Sequence, residues 1–422
     1  MGFFLASDKW YDLRDLSNLS REILEGLDRI APAGVVYVAA AVLGFVAAFL
    51  IFVLPSQLIV GVYGERKLIG RIQSRYGPNR VGPFGLLQPI ADAIKLMQKE
   101  AITPRTADRA VNWLAPIVFV APAVMLFAVI PFGPNMIIAD IPVALVYFLA
   151  VASLPVIGAF MAGWSSDNKY SLFGAMRVVA MTISYEIPLV LGLLSVVVFT
   201  GSLGLQDIVV WQKDIDIWLI VLQPIAFVVF FIGVSAELNR TPTDIAEAES
   251  EIVAGYLTEY SGMRWGLFYG MDIGYALAAA AFGSTVFLGG WSLFGLEQWV
   301  PPWIIFIGKT YLFYFIFIWT RGTLPRLRID QLMALSWKYL LPLAVFNLAL
   351  VSVERLIWVE NELGDSIVYL FAVVNIVASV LLMVGWARAL GYRPEQTPRR
   401  PRLVDDARGY VPLEAPVKGG GR

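Results

Sequence analysis

The chain has 422 residues, 58% of them hydrophobic and 15% charged, with a formal net charge of −1. Soluble domains carry about a quarter charged residues, so this composition excludes an ordinary water-soluble protein. Cysteine and histidine are absent from the sequence, which excludes disulfides, thiolate-held iron–sulfur clusters, zinc or haem, and an imidazole acid–base group. No metal site is expected, and any redox cofactor the chain serves is expected on another polypeptide.

Residues 1–31 lack the basic start and short apolar run of a signal peptide. Trp10, Leu13, Leu16, Ile23, Leu27 and Ile30 approximate one helical face, which predicts an external amphipathic helix, with a disordered extension as the alternative. A transmembrane domain is predicted over 32–390. A bilayer core takes about 20 apolar residues per helix. Nine segments meet that length, near Val35–Val60, Trp113–Phe132, Ile141–Gly163, Val178–Gly201, Ile217–Ala236, Trp265–Gly290, Pro302–Thr320, Tyr339–Ile357 and Ser366–Ala387. Strict alternation is absent, so a β-barrel does not fit. The predicted fold class is all-α: a polytopic membrane protein with about nine spans and interfacial amphipathic helices. The tail at 391–422, rich in Pro, Arg and Gly, is predicted to be disordered.

Charge sets the orientation. Gly64–Asn112, Trp164–Arg177, Glu237–Arg264, Arg321–Lys338 and the tail from Arg388 hold twenty-five of the thirty-two Lys and Arg. The positive-inside rule makes these segments cytoplasmic, leaving the amino terminus external and the carboxy terminus cytoplasmic.

Within the first cytoplasmic loop (64–112), Gly77-Pro78, Gly82-Pro83 and Gly85 predict a tight hinge. Leu87, Ile90, Ile94, Met97 and Ala101 then follow helical spacing, with Asp92, Lys95 and Lys99 on another face. That pattern predicts an amphipathic helix lying along the membrane surface. The second loop (237–264) carries Glu237, Asp244, Glu247, Glu249, Glu251 and Glu259 among Ile245, Ile252, Val253, Tyr256, Leu257 and Tyr260. On a helix Asp244, Glu247 and Glu251 would share a face. Crowded carboxylates resist ionising together, which suits proton relay without histidine; a solvated acidic loop is the plainer alternative.

Glu186, Asp272 and Lys309 fall inside predicted spans. At 1.5 Å per residue, Glu186 and Asp272 are expected roughly 10–13 Å below the cytoplasmic face and Lys309 about 10 Å from the outer one. Ionisable groups at such depth are expensive and mark ion paths or structural ion pairs. The path expected here runs from the cytoplasmic acids through Asp272 and Glu186 to Lys309.

The loop ERKLIGRIQSRYGPNRVGPFGLLQPIADAIKLMQKEAITP closely resembles the signature of the H subunits of the NADH-quinone oxidoreductases, the quinone-site membrane subunits of respiratory complex I. Ser184-Tyr185-Glu186, the run Glu237–Pro242, the stretch Glu247–Tyr260 and the run Arg326–Leu332 match that family in order. The resemblance implies a core subunit of a proton-translocating enzyme of the bacterial cytoplasmic (inner) membrane, with quinone as bound substrate. NADH, FMN and iron–sulfur clusters would belong to partner subunits. The partners implied are the cluster-bearing and quinone-site hydrophilic subunits, neighbouring antiporter-like subunits and the lipid bilayer, with no nucleic acid.

The resemblance assigns Glu186, Glu237, Glu247, Glu249, Glu251 and Glu259 to an acidic channel, and Asp92, Arg177, Asp244 and Lys309 to further polar positions. Arg66, Arg75, Asp92, Arg177, Arg240 and Asp244 are then expected along the quinone tunnel. The sequence departs from the family at Asp272-Ile273, where Glu–Tyr is usual, and at Thr243, where Phe is common. The alternatives are a homologous protein serving a hydrogenase or another electron donor, a stand-alone ion transporter, and a passive anchor.

Overall fold

The computed structural model describes residues 57–245, 252–360, 364 and 367–389. The expected extension at 1–31, the expected tail at 391–422 and the first span up to residue 56 lie outside the described residues. In chain order the helices are α1 (Glu65–Ile72), α2 (Gln88–Gln98), α3 (Arg109–Leu126), α4 (Ala144–Ala152), α5 (Leu154–Ser165), α6 (Lys169–Thr200) and α7 (Leu205–Ile215). There follow α8 (Pro224–Glu237), α9 (Gly262–Phe287), α10 (Pro302–Thr323), α11 (Ile329–Ala334), α12 (Leu341–Glu360) and α13 (Ile367–Ala389). The described residues fall into two units, one ending at Ile376 and the other beginning at Val377. The described part of the second is the later portion of α13, where Val380, Leu381, Met383 and Val384 are exposed; all contacts below lie within the first.

The chain is an all-α polytopic membrane protein. Among the described residues six helices are long and apolar enough to cross a bilayer: α3, α4 with α5, α6, α10, α11 continuous with α12, and α13. α9 is 26 residues long but carries Asp272, which lowers its apolarity. The span expected at Ile217–Ala236 is broken, with a single turn at Leu219–Leu222 before α8. Gln223, which stands at the break, is fully buried, and its amide donates to the Ser195 carbonyl at 3.3 Å. Side-chain hydrogen bonding of this kind lets irregular backbone persist at membrane depth.

The loop expected over Trp164–Arg177 is mostly helix, because Asn168 caps α6 by accepting from the Tyr170 amide at 3.0 Å. Capping satisfies an orphan donor of the first turn, so the helix starts nine residues before its expected apolar stretch. Apolar length does not predict α7. It is amphipathic, burying Leu205, Ile208, Val209 and Gln212. The Gln212 amide donates to the Val286 carbonyl at 3.0 Å while its oxygen accepts from the Leu219 amide.

Lipid gives helices no hydrophobic reason to associate, so close packing must hold them together. Phe148 stacks on Phe282 at 3.9 Å and Phe231 on Phe317 at 5.0 Å, joining α4 to α9 and α8 to α10. Small residues admit the closest approaches. A Cβ on Gly174 of α6 would stand 2.6 Å from the Gly255 Cα, so the segment before α9 lies directly on that helix. We predict that Gly174→Ala forces this segment outward and lowers stability by about 1–3 kcal/mol. Gly308→Ala, where a Cβ meets nothing within 4 Å, should stay within about 1 kcal/mol of the parent. Thermal unfolding of the purified protein in detergent checks both.

Candidate functional site: a buried ion cluster beside a cavity

A π-helical turn, Gln57–Gly64, leads into α1 and delivers Glu65 to the interior. Its carboxylate accepts from Arg240 Nη2 at 3.3 Å, from the Tyr314 hydroxyl at 3.0 Å, and from Arg321. Arg240 also lies 5.5 Å over the Tyr314 ring. Burial opposes ionisation of Glu65, but the charges of Arg240 and Arg321 outweigh it and hold the carboxyl below its ordinary 4.5. Burial likewise works against charge on Arg240, yet Glu65 and Tyr314 raise its pKa overall. The cluster joins the start of the first loop, the start of the second and the end of α10. Of these residues, Arg240 is among the expected tunnel positions and Glu65 is not. Its signal was available: an acid beside the span end, at the head of ERKLIGR.

Next to this cluster lies a cavity with room for a few water molecules, about 50 Å³. Glu237, Asn239, Asp272, Tyr275 and Thr182 line it together with apolar residues of α3, α4, α5 and α9. Asp272 is within electrostatic reach of Arg240 and of Tyr275. Glu186, on α6, is within electrostatic reach of Glu237. The chain beside Glu186 is tied in place. The Ser336 hydroxyl donates to the Ser184 carbonyl at 2.5 Å, and the Tyr185 hydroxyl donates to the Leu332 carbonyl at 2.9 Å. The structure therefore brings Glu186, Glu237, Asp272 and Arg240 to one region.

The other expected positions are more dispersed. Asp244 lies in a non-helical turn and accepts from Arg326 at 2.7 Å, while Leu327 donates to the Pro242 carbonyl at 3.0 Å. Glu259 accepts from Asn168 at 2.8 Å beside an open cleft. Glu247, Glu249 and Glu251 lie outside the described residues. Lys309 lies apart from the acids of the cavity, within electrostatic reach of Glu297. Its amine donates to the Leu288 carbonyl at 2.5 Å and to that of Ser292, with the Trp218 ring 5.1 Å away. It thus occupies the carbonyl-rich end of α9, where a cation is favoured.

On the first loop, Arg66 donates to Asp92 at 2.6 Å and Gln88 to the other Asp92 oxygen at 3.0 Å. Burial resists ionisation of Asp92, and the Arg66 hydrogen bond overcomes it, holding the carboxyl below its usual range. The pair fixes α2, whose Ile90, Ile94 and Met97 face outward and exposed, as the amphipathic pattern predicted. The hinge closes on itself, with Tyr63 and Lys67 both donating to the Phe84 carbonyl at 2.9 and 2.8 Å. Arg75 donates to Gln73 at 2.9 Å within an exposed turn. Arg177 lines a surface cavity with Tyr170, Phe173, Met176, Ile252 and Ile329.

The NADH dehydrogenase family profile matches residues 43–352. The chain belongs to that family. Among its relatives, the NADH-quinone oxidoreductase H subunit of Dehalococcoides mccartyi strain CBDB1 is 54% identical over 306 residues, covering 72% of this chain and 84% of the relative. The protein of the same name from Geobacillus sp. strain WCH70 is 50% identical over 300 residues, covering 71% and 90%. One of the numbered NADH-quinone oxidoreductase H subunits of Geobacter metallireducens is 48% identical over 310 residues, covering 71% and 92%. The matched region contains the ion cluster, the cavity and α2, so the site described above lies within the extent of the family.

The acid dependence of the cluster follows from sign. Glu65 has a lower pKa folded than unfolded, so its contribution is complete above about pH 4.5 and is lost as pH falls through the folded value. We predict that Glu65→Gln removes the carboxylate paired with buried Arg240, leaving only the longer-range charge of Asp272, and destabilises the protein by about 3–5 kcal/mol at neutral pH. The same variant should flatten the stability–pH curve below pH 4.5. Thermal unfolding across an acid pH series reads both effects.

Proposed function

We propose that the chain is the quinone-site membrane subunit of a proton-translocating NADH-quinone oxidoreductase in the bacterial cytoplasmic membrane. The names of its relatives support the complex, and the cavity shared by Glu237, Asp272 and Asn239 beside the Glu65–Arg240 pair is the observation that supports its role in coupling. Electrons would arrive from NADH through FMN and iron–sulfur clusters on partner subunits, since this chain has no thiol or imidazole to hold them. Quinone would be the substrate held here, with the exposed apolar face of α2 flanking its lipid-side portal. Arg66, Arg75, Asp92, Arg177, Arg240 and Asp244 would lie along its tunnel. Hydrophilic partner subunits would cover the cytoplasmic loops and antiporter-like subunits the lateral face. The asymmetry of Lys and Arg supports an external amino terminus and a cytoplasmic carboxy terminus.

In this reading quinone chemistry changes the charge beside the Glu65–Arg240–Arg321 cluster. Arg240 couples that charge to Asp272, and Glu237 and Glu186 continue the line of acids into the bundle. Water in the cavity supplies the hydrogen-bonded contact that proton movement between them requires. Glu247, Glu249, Glu251 and Glu259 would feed the path from the cytoplasmic side. Lys309 we assign to anchoring the outer end of α9, because both carbonyl contacts occupy its amine.

The test is Glu237→Gln, which keeps size and hydrogen bonding but removes the titratable proton. Quinone reduction coupled to proton uptake should fall by roughly 100-fold or more, with native-gel assembly unchanged. Glu186→Gln should behave alike. Full pumping by either assembled variant rules that residue out of the path. Lys309→Met should instead impair assembly before it impairs turnover of whatever complex forms.

A further inference from the structure

One buried acid takes no part in this site. Glu354 lies on α12, six residues before its end and so about 9 Å along the helix from it. It is only 4% exposed, and it faces Asn375 of α13, 1% exposed. The Asn375 amide nitrogen donates to Glu354 Oε2 at 2.9 Å. The two remaining oxygens of the pair, Glu354 Oε1 and Asn375 Oδ1, are buried and have no partner. Both are acceptors, and a pair of orphan acceptors in lipid-surrounded protein is costly. The adjacent guanidinium, Arg355, stacks 4.7 Å over the Trp358 ring rather than pairing with the carboxyl.

A single proton resolves both orphans. Carried on Oε1, it donates to Asn375 Oδ1 while Asn375 Nδ2 donates to Oε2, giving the cyclic double hydrogen bond that a carboxylic acid forms with a primary amide. We propose that Glu354 is a structural proton-binding site, holding one proton that closes an acid–amide ring with Asn375 and fastens α13 to α12.

The packing around the pair fits that task. The buried face of α13 is Val368, Phe371, Ala372 and Asn375, spaced as one helical stripe, so Asn375 is its one amide. Phe371 meets Phe199 edge-on at 6.4 Å, Phe199 stacks with Trp358 at 5.7 Å, and Tyr369 donates to the Ile215 carbonyl at 3.3 Å. The aromatic contacts place the helix; the acid–amide ring sets its register. Two turns earlier on the same face of α12, Asn347 donates to Ser195 Oγ at 2.8 Å, and that hydroxyl bonds to Gln223 at 3.0 Å. α12 therefore fastens neighbours at two levels through polar side chains, one of them using a proton as its ligand.

The experiment compares the parent with Glu354→Gln, Glu354→Ala and Asn375→Leu in the purified, lipid-embedded complex. A glutamine reproduces the ring without a proton, since its amide donates to Oδ1 and accepts from Nδ2. Glu354→Gln should melt within about 1 °C of the parent, while Glu354→Ala and Asn375→Leu should melt roughly 2–4 °C lower. The infrared difference between parent and Glu354→Gln should show the carbonyl stretch of a protonated carboxylic acid that persists through neutral pH. Coupled proton uptake should be the same in Glu354→Gln as in the parent. The proposal is overturned by a carboxylate stretch in that difference or by a Glu354→Gln melt as low as that of Glu354→Ala. It is equally overturned by pumping lost in Glu354→Gln, which makes the acid a relay, or by a parent melt that rises with sodium where the variant's does not, which makes the ligand a metal cation. If Glu354→Ala does not assemble, the glutamine variant and the infrared band still decide it.

Discussion

Glu65 sits where a lone carboxylate could not remain ionised, and Arg240 and Arg321 are drawn to it from two other parts of the chain. Removing a charge from water costs several kcal/mol unless a partner of good geometry compensates. That constraint fixes more than one ion pair. Arg240 can reach Glu65 only if α8 ends where it does, and Arg321 only if the last turn of α10 faces the first loop. The interior charge thereby sets the relative position of three segments that are far apart in sequence. Tyr314 completes the arrangement, offering a hydroxyl to Glu65 and a ring face to Arg240. The cavity containing Glu237 and Asp272 lies beside this fixed point, so its acids are held at set distances from a buried positive charge.

Irregular backbone surrounds the same region. A π-helical turn precedes Glu65, another precedes α12, and α8 begins at a break. Single-turn π-helices inside longer helices frequently accompany functional sites. Here they have a visible consequence. The turn at 335–340 presents Ser336 and Trp337 to Ser184, at 2.5 and 3.3 Å, close along the chain to Glu186. The turn at 57–64 carries Tyr63 to the Phe84 carbonyl and Glu65 to the interior. Both departures from regular helix direct side chains at the acids or their supports.

Much of this was readable in the sequence, and the parts that were not share a cause. Apolar length located α3, α6, α10, α12 and α13, because lipid imposes one dominant condition on a spanning helix. Helical spacing located α2 and its outward apolar face. The early start of α6 escaped because apolar length carries no information about an Asn168 cap. α7 escaped because a short amphipathic helix has too few residues to stand out from a loop. Among the site residues, intramembrane charge drew attention to Glu186, Asp272 and Lys309, yet could not separate an acid near a cavity from an amine engaged with carbonyl oxygens. Glu65 was overlooked for the converse reason. It stands among basic residues at a span boundary, and only the fold reveals that its partners come from residues 240 and 321.

Buried and half-buried acids in this chain meet three different environments. Glu65, Asp92 and Asp244 face guanidinium groups that pair with them and make them fixed points of structure. Glu237 and Asp272 face a cavity with room for water, the setting that the proposed relay requires. Glu354 faces one amide and no ion-pair partner among the described residues, an environment that accommodates an acid only with its proton in place. On the proposed reading the same functional group serves as anchor, carrier or latch according to what stands opposite it. Burial alone does not distinguish them. The partner does, and in a chain without histidine or cysteine the carboxylate is the group available for all three proposed roles.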